Sequence, residues 1–162
     1  MYPESRTIPF SSRAEFHDLV RQCIVNSNSH LQLFDPDFAT WALGSSDVVQ
    51  ELHQFLARKN TNRLQLAMHS VTHLQHNCPR FLALLRNFDH AIECRTTPRN
   101  LQKLTDSFCL GDNMHLVRRF HSDHFRGAAT FHSEPDAQIC NERFAGIWAE
   151  SLTGLHATTL GL

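Results

Sequence analysis

TDSFCLGDNMHLVRRFHSDHFRGAATFHSEPDAQICNERFAGIW, running from Thr105 to Trp148, is the stretch that decides the fold. Short apolar runs over Leu104–Leu110, His115–Phe120 and Ala128–Phe131 predict three strands in succession, the first running into Asp112. Ser133-Glu-Pro-Asp136 then opens a helix, with Ser133 as the cap and the proline in the first turn, where its missing N–H has no partner to lose. Ala137, Cys140, Phe144, Ile147 and Trp148 recur at helical spacing and mark its buried face.

Upstream the pattern changes to helices alternating with strands. Ser12-x-x-Glu15 is a capping box, and Phe16, Leu19, Val20, Cys23 and Ile24 form one apolar stripe to about Asn26. Leu31–Phe34 reads as a strand ending in Asp35-Pro36-Asp37. A second helix starts near Ser45 or Ser46, with Val48, Val49, Leu52, Phe55 and Leu56 inward. Arg63–His69 is a strand, 70–77 a polar loop, Pro79 to about Phe88 a helix, and Ala91–Arg95 a further strand. Residues 1–10, with prolines at 3 and 9, read as an extended arm, residues 11–150 as one α/β domain and residues 151–162 as a tail. Alternation followed by successive strands predicts a mixed, mainly parallel sheet of about six strands flanked by helices.

The 162 residues suffice for one cored domain. The chain has no apolar run of spanning length, and its first residues lack a signal layout, so a cytoplasmic protein is expected. A formal net charge of −1 argues against charge-driven nucleic-acid binding. The five cysteines are scattered without a C-x-x-C pair, which predicts buried free thiols. Twelve histidines are the compositional oddity. His121-x-Asp123-His124 has metal-ligand residue types without a known zinc spacing, so neither a metal nor a cofactor is expected.

The order of elements over roughly residues 11–150 resembles one half of a phospholipase D domain. The carrying segments are the strand LQLFDPDF, the strand RLQLAMH, FCLGD, and the closing PDAQICNERFAGIW. DPDF-x-x-W-x-L-G-S and RRFHSDHFRG together resemble a small bacterial family of uncharacterised phospholipase D-like domains. The resemblance implies a signature H-x-K-x-x-x-x-D, in which His attacks phosphorus and Lys holds the phosphoryl oxygens. With Asp112 as its Asp, the His position is Thr105 and the Lys position is Ser107. The small-residue-and-Asn motif that should follow falls on Arg119, Phe120 and Ser122. Thr105 and Ser107 supply neither an imidazole nucleophile nor an ammonium, and no general base stands at fixed spacing to activate the threonine. Single-signature members of this group complete one site from two copies, which implies a homodimer.

Polar residues nonetheless gather where the site should be. Ligands of open α/β sheets bind beyond the carboxyl ends of strands, and Asp35-Pro36-Asp37 lies at such an end. His69 ends the second strand, and Trp41 either roofs a pocket beside Asp37 or closes the core. On a strand, Arg119 and His121 share a face, and Arg126 adds a second guanidinium suited to phosphate or carboxylate. Three readings stand open. In the first, Asp35, Asp37, Trp41, His69, Arg119, His121 and Arg126 bind a phosphate-bearing or other anionic ligand without catalysis. In the second, His121, with Asp123 or Asp35 orienting it, carries relocated phosphodiester hydrolysis. In the third, the polar cluster is structural and the domain binds another protein. Convergence of Asp35, Arg119 and His121 on a cavity favours the first, and close packing of Asp35 on Arg119 without one favours the third.

Overall fold

The computed structural model describes residues 6–155; the first five residues of the arm and residues 156–162 of the tail lie outside them. In chain order the elements are β1 (Arg6–Phe10), α1 (Arg13–Asn26), β2 (His30–Phe34), α2 (Ser46–Arg58), β3 (Arg63–Met68), α3 (Thr72–Asn77) and α4 (Pro79–Asn87). They continue with β4 (Ile92–Thr96), β5 (Ser107–Gly111), β6 (His115–Arg119), β7 (Gly127–Phe131), α5 (Glu134–Glu150) and β8 (Leu152–Leu155). All eight strands form one sheet in the order β1-β7-β6-β5-β2-β3-β4-β8.

Local chemistry sets the boundaries. The Ser12 hydroxyl oxygen accepts the Glu15 N–H at 3.2 Å and donates to the Glu15 carboxylate at 2.9 Å. Ser45 and Ser133 cap α2 and α5 in the same manner. Apolar residues then divide between two layers. Leu31, Leu33, Leu64, Leu66, Cys94, Cys109 and Val117 meet α1, α2 and α4 on one face. Phe34, Ala67, Phe108, Leu110 and Leu116 meet Ala137, Cys140, Phe144 and Ile147 of α5 on the other.

The predicted class, a mixed sheet between helices, holds, with a different strand count and less parallel character. Eight strands replace about six because the segments read as arm and tail each add an edge strand, β1 on β7 and β8 on β4. Parallel pairing is confined to β2-β3-β4, and the other five pairings are antiparallel. The loop predicted over 70–77 contains the short α3, which buries Leu74. No helix among the described residues is long and apolar enough to cross a membrane.

The turn from β5 to β6 holds the signature aspartate. Asp112 and Asn113 both have positive φ, 52° and 59°, as a tight hairpin of right-twisted strands requires. The Asp112 carboxylate accepts the backbone N–H groups of Asn28, Ser29 and His30 and the Ser29 hydroxyl, at 2.7–3.1 Å. Burial alone would raise its pKa, but these four bonds together outweigh burial and hold it below the ordinary carboxylate value. Asp112 therefore ties the hairpin to the start of β2.

Candidate functional site

β2 delivers Asp35 to the carboxyl end of the sheet. One carboxylate oxygen accepts the N–H groups of Asp37 (3.1 Å) and Phe38 (2.7 Å), shaping the turn that follows. The other accepts Nη2 of Arg119 at 2.8 Å. Arg119, the last residue of β6, donates Nε to the Ser107 hydroxyl at 3.0 Å and Nη1 to the His124 carbonyl at 3.3 Å. Ser107 also accepts the Trp41 indole N–H at 3.3 Å. Asp35 and Arg119 are each 1% exposed and Ser107 is fully buried.

Aromatic rings enclose the ion pair. The Arg119 guanidinium carbon lies 5.1 Å from the Phe16 ring centre and 5.3 Å from that of Phe125, within range of a cation–π attraction. Trp41 stands edge-on to Phe16 and Phe38 at 5.3 and 5.1 Å. It closes the core rather than roofing a pocket. Two charges taken out of water carry a desolvation cost that only close geometry and further hydrogen bonds offset, and both are supplied here.

The remaining candidates do not join this cluster. Asp37 is exposed and accepts the Ala39 N–H within its own turn. His69 has both ring nitrogens engaged: Nε2 donates to the Leu104 carbonyl at 2.8 Å and Nδ1 pairs with the Thr97 hydroxyl at 2.6 Å. His121 was expected beside Arg119 on one strand face, but β6 stops at Arg119. The chain then turns back, with the Phe120 N–H bonded to the Arg126 carbonyl and the Ser122 N–H to the Thr105 carbonyl. His121 sits in that turn, where Nδ1 accepts the Asp123 N–H at 3.0 Å. The Asp123 carboxylate, 80% exposed, is 3.6 Å from the same nitrogen. Arg126 is exposed at the far end of the loop.

Asp35, Arg119 and Trp41 thus converge, while Asp37, His69, His121, Asp123 and Arg126 remain outside. Among the described residues, surface clefts of about 300 to 660 Å³ lie elsewhere on the domain, lined by residues other than Asp35, Arg119 and His121. Among the described residues, no three His, Cys, Asp or Glu side chains come together to hold a metal ion. Sequence reasoning missed Ser107 as a centre of bonding; a small hydroxyl facing inward on an apolar strand gives no signal until its partners are known.

An eight-stranded mixed sheet, helices on both faces and a polar cluster at the carboxyl end of β2 define a phospholipase D-like fold. The phospholipase D family member Nuc from Salmonella typhimurium superposes with a TM-score of 0.67 at 15% identity, over 93% of this chain and 99% of that one. NucT from Helicobacter pylori gives 0.64 at 9% identity, over 93% and 100%. TrmBL2, an archaeal chromatin protein described as having a novel mode of DNA binding, gives 0.68 at 9% identity, over 92% of this chain and 54% of that one. No curated protein sequence matches the chain. Residues 12–158 match a family described as a domain of unknown function, DUF7931, and the chain belongs to that family.

Proposed function

We propose that this protein is a non-catalytic phospholipase D-fold domain that acts as an interaction module. The observation that carries this reading is the filling of the signature lysine position. Ser107 is fully buried and bonded to Arg119 and Trp41, and Asp35 balances the Arg119 charge from the other side. A transferring phosphoryl group needs donors aimed at open space, and Arg119 commits its three nitrogens to Asp35, Ser107 and His124. Thr105, at the signature nucleophile position, is exposed and precedes the strand.

An anion at this face would meet only His121 and Arg126 among the predicted ligands, which weakens the anion-binding reading relative to a protein partner. The first partner proposed is a second copy, as the single-signature relatives imply. Five buried free cysteines support a reducing, cytoplasmic setting.

The test is turnover of bis(p-nitrophenyl) phosphate, together with thermal stabilisation by phosphate, nucleotides and a short single-stranded DNA, for the wild type and His121→Ala. No turnover and no stabilisation are expected in either protein. Turnover lost in His121→Ala would establish relocated catalysis instead. Stabilisation lost in that variant, without turnover, would establish the anion site.

A further inference from the structure

Cys23 and Cys109 lie 86 residues apart in the chain and touch in the fold. Cys23 sits on the inner face of α1 and Cys109 in the middle of β5, and both are fully buried. Their sulfurs are 3.6 Å apart, with the Cys109 S–H donating to Cys23. A close approach of helix to strand brings them together. Gly111 follows Cys109 on the same face of β5, and Ser27 follows Cys23 by one helical turn. A methyl group at position 111 would overlap the Ser27 hydroxyl oxygen and lie 3.2 Å from the Cys23 sulfur. The glycine therefore lets α1 rest directly on the strand, and the Ser27 hydroxyl fixes the last turn by donating to the Cys23 carbonyl at 2.7 Å.

The pair is buried near a corner of the domain. Asn26 and Asn28, just past the helix, and Asn113 of the hairpin are exposed. The bonds from Asn28 and Ser29 to Asp112 hold that corner shut, and its local opening gives a small solute a route to the sulfurs. The two thiols are not equivalent. The hydrogen bond to Cys23, and then burial, push the Cys109 thiol well above its ordinary value, which keeps it protonated and in the donor role. Cys23, the acceptor, is left as the sulfur to be oxidised first.

We infer that Cys23 and Cys109 form a redox-sensitive clip, in which a hydroperoxide oxidises Cys23 to a sulfenic acid and Cys109 then closes a disulfide between α1 and β5. With hydrogen peroxide, the Cys23 sulfur gives an electron pair to the O–O bond, gains one oxygen and releases water. The Cys109 sulfur then attacks the sulfenic sulfur, and its proton leaves with the hydroxyl as a second water. The sulfurs close from 3.6 Å to the about 2.05 Å of a disulfide. The bond ties a long loop and so restricts the unfolded chain. It also fixes the helix whose Phe16 walls the Arg119 guanidinium.

The experiment exposes the folded, reduced protein to hydrogen peroxide at concentrations that leave its circular dichroism unchanged. The protein is then alkylated in denaturant and its peptides are mapped by mass spectrometry. The expected result is a Cys23–Cys109 cross-link, with alkylation falling from five cysteines to Cys78, Cys94 and Cys140. The oxidised protein should unfold at a higher temperature, and dithiothreitol should restore all five thiols. In Cys109→Ala, dimedone is expected to label Cys23, because the sulfenic acid has lost its resolving thiol. Five free thiols after oxidation would overturn the inference, as would a different cysteine pair or a sulfinic acid without a cross-link. A cross-linked protein whose unfolding temperature does not rise would overturn the clip. If Cys109→Ala does not fold, the wild-type map decides alone.

Discussion

Two polar regions of this molecule differ in how fully their polar groups are paired. At the carboxyl end of β2, the Asp35 carboxylate and the Arg119 guanidinium are paired, buried and walled by rings. Beside α5, Gln138 donates to the exposed Glu142 carboxylate at 3.2 Å, and the Asn141 Oδ1 is buried without a partner. The first region contains the residue types of an active site, but both charges are buried and each Arg119 nitrogen is bonded within the protein. The second contains bland amides, one of which leaves its buried oxygen unpaired. Residue type directs attention to the first, whereas hydrogen-bond satisfaction directs it to the second.

The contrast breaks most sharply if the ion pair proves dispensable. Arg119→Met strands a buried carboxylate and is expected to cost about 3–5 kcal/mol in urea unfolding, with Asp35→Asn/Arg119→Met recovering much of the loss. A change below about 1 kcal/mol would mean that the pair is not the closed structural unit described. Next in size is Asp112→Ala, which leaves the Asn28, Ser29 and His30 N–H groups without their acceptor and should cost about 1–3 kcal/mol. The native Asp112 pKa lies below its unfolded value, so its contribution is present above about pH 3.9 and is lost as pH falls through the native pKa. The variant should therefore lose part of the acid-limb dependence seen in wild-type unfolding midpoints.

The smallest effect concerns His115, which is 1% exposed. Burial, and then the neighbouring His132, hold its imidazole below the ordinary value. Its neutral Nδ1 accepts the His132 N–H at 3.2 Å. Below about pH 6.5 the unfolded chain binds this proton more readily than the folded one, so stability rises with pH across the window just under that value and levels off above it. Urea midpoints taken through that window should show the rise in wild type and lose it in His115→Gln.

Much of the fold was legible because its signals are local. The Ser12–Glu15 box, the Ser133 cap with Pro135, and the Phe16-to-Ile24 stripe each specify an element without reference to distant residues. The edge strands were not legible. β1 contains Pro9, and β8 is four residues long, so each depends on a distant neighbour to define it. Of the site, Asp35, Trp41 and Arg119 were legible as a group, and an Asp35–Arg119 pair as one of the open alternatives; the choice among them was not legible, because the two residues lie 84 apart. His121 was misplaced because an alternation read two residues past Arg119 ignores the Phe120–Arg126 bond that ends the strand. The Gln32–Gln65 row had a visible signal in the repeated Leu-Gln-Leu of HLQLF and RLQLAM; both glutamines are half-buried, while Phe34 and Ala67, two residues further along the same face, are buried against α5.

The Ser107 hydroxyl, bonded to both Arg119 and Trp41, makes any exchange at this position costly. A lysine returning at position 107 would press an ammonium and three added methylenes into a fully buried space beside an existing guanidinium, with one carboxylate to serve two cations. Removing Arg119 first would leave Asp35 charged and alone. Each single step toward the signature passes through a less stable protein. The arrangement is held as by a ratchet, free to vary its outer surfaces while the buried centre stays fixed.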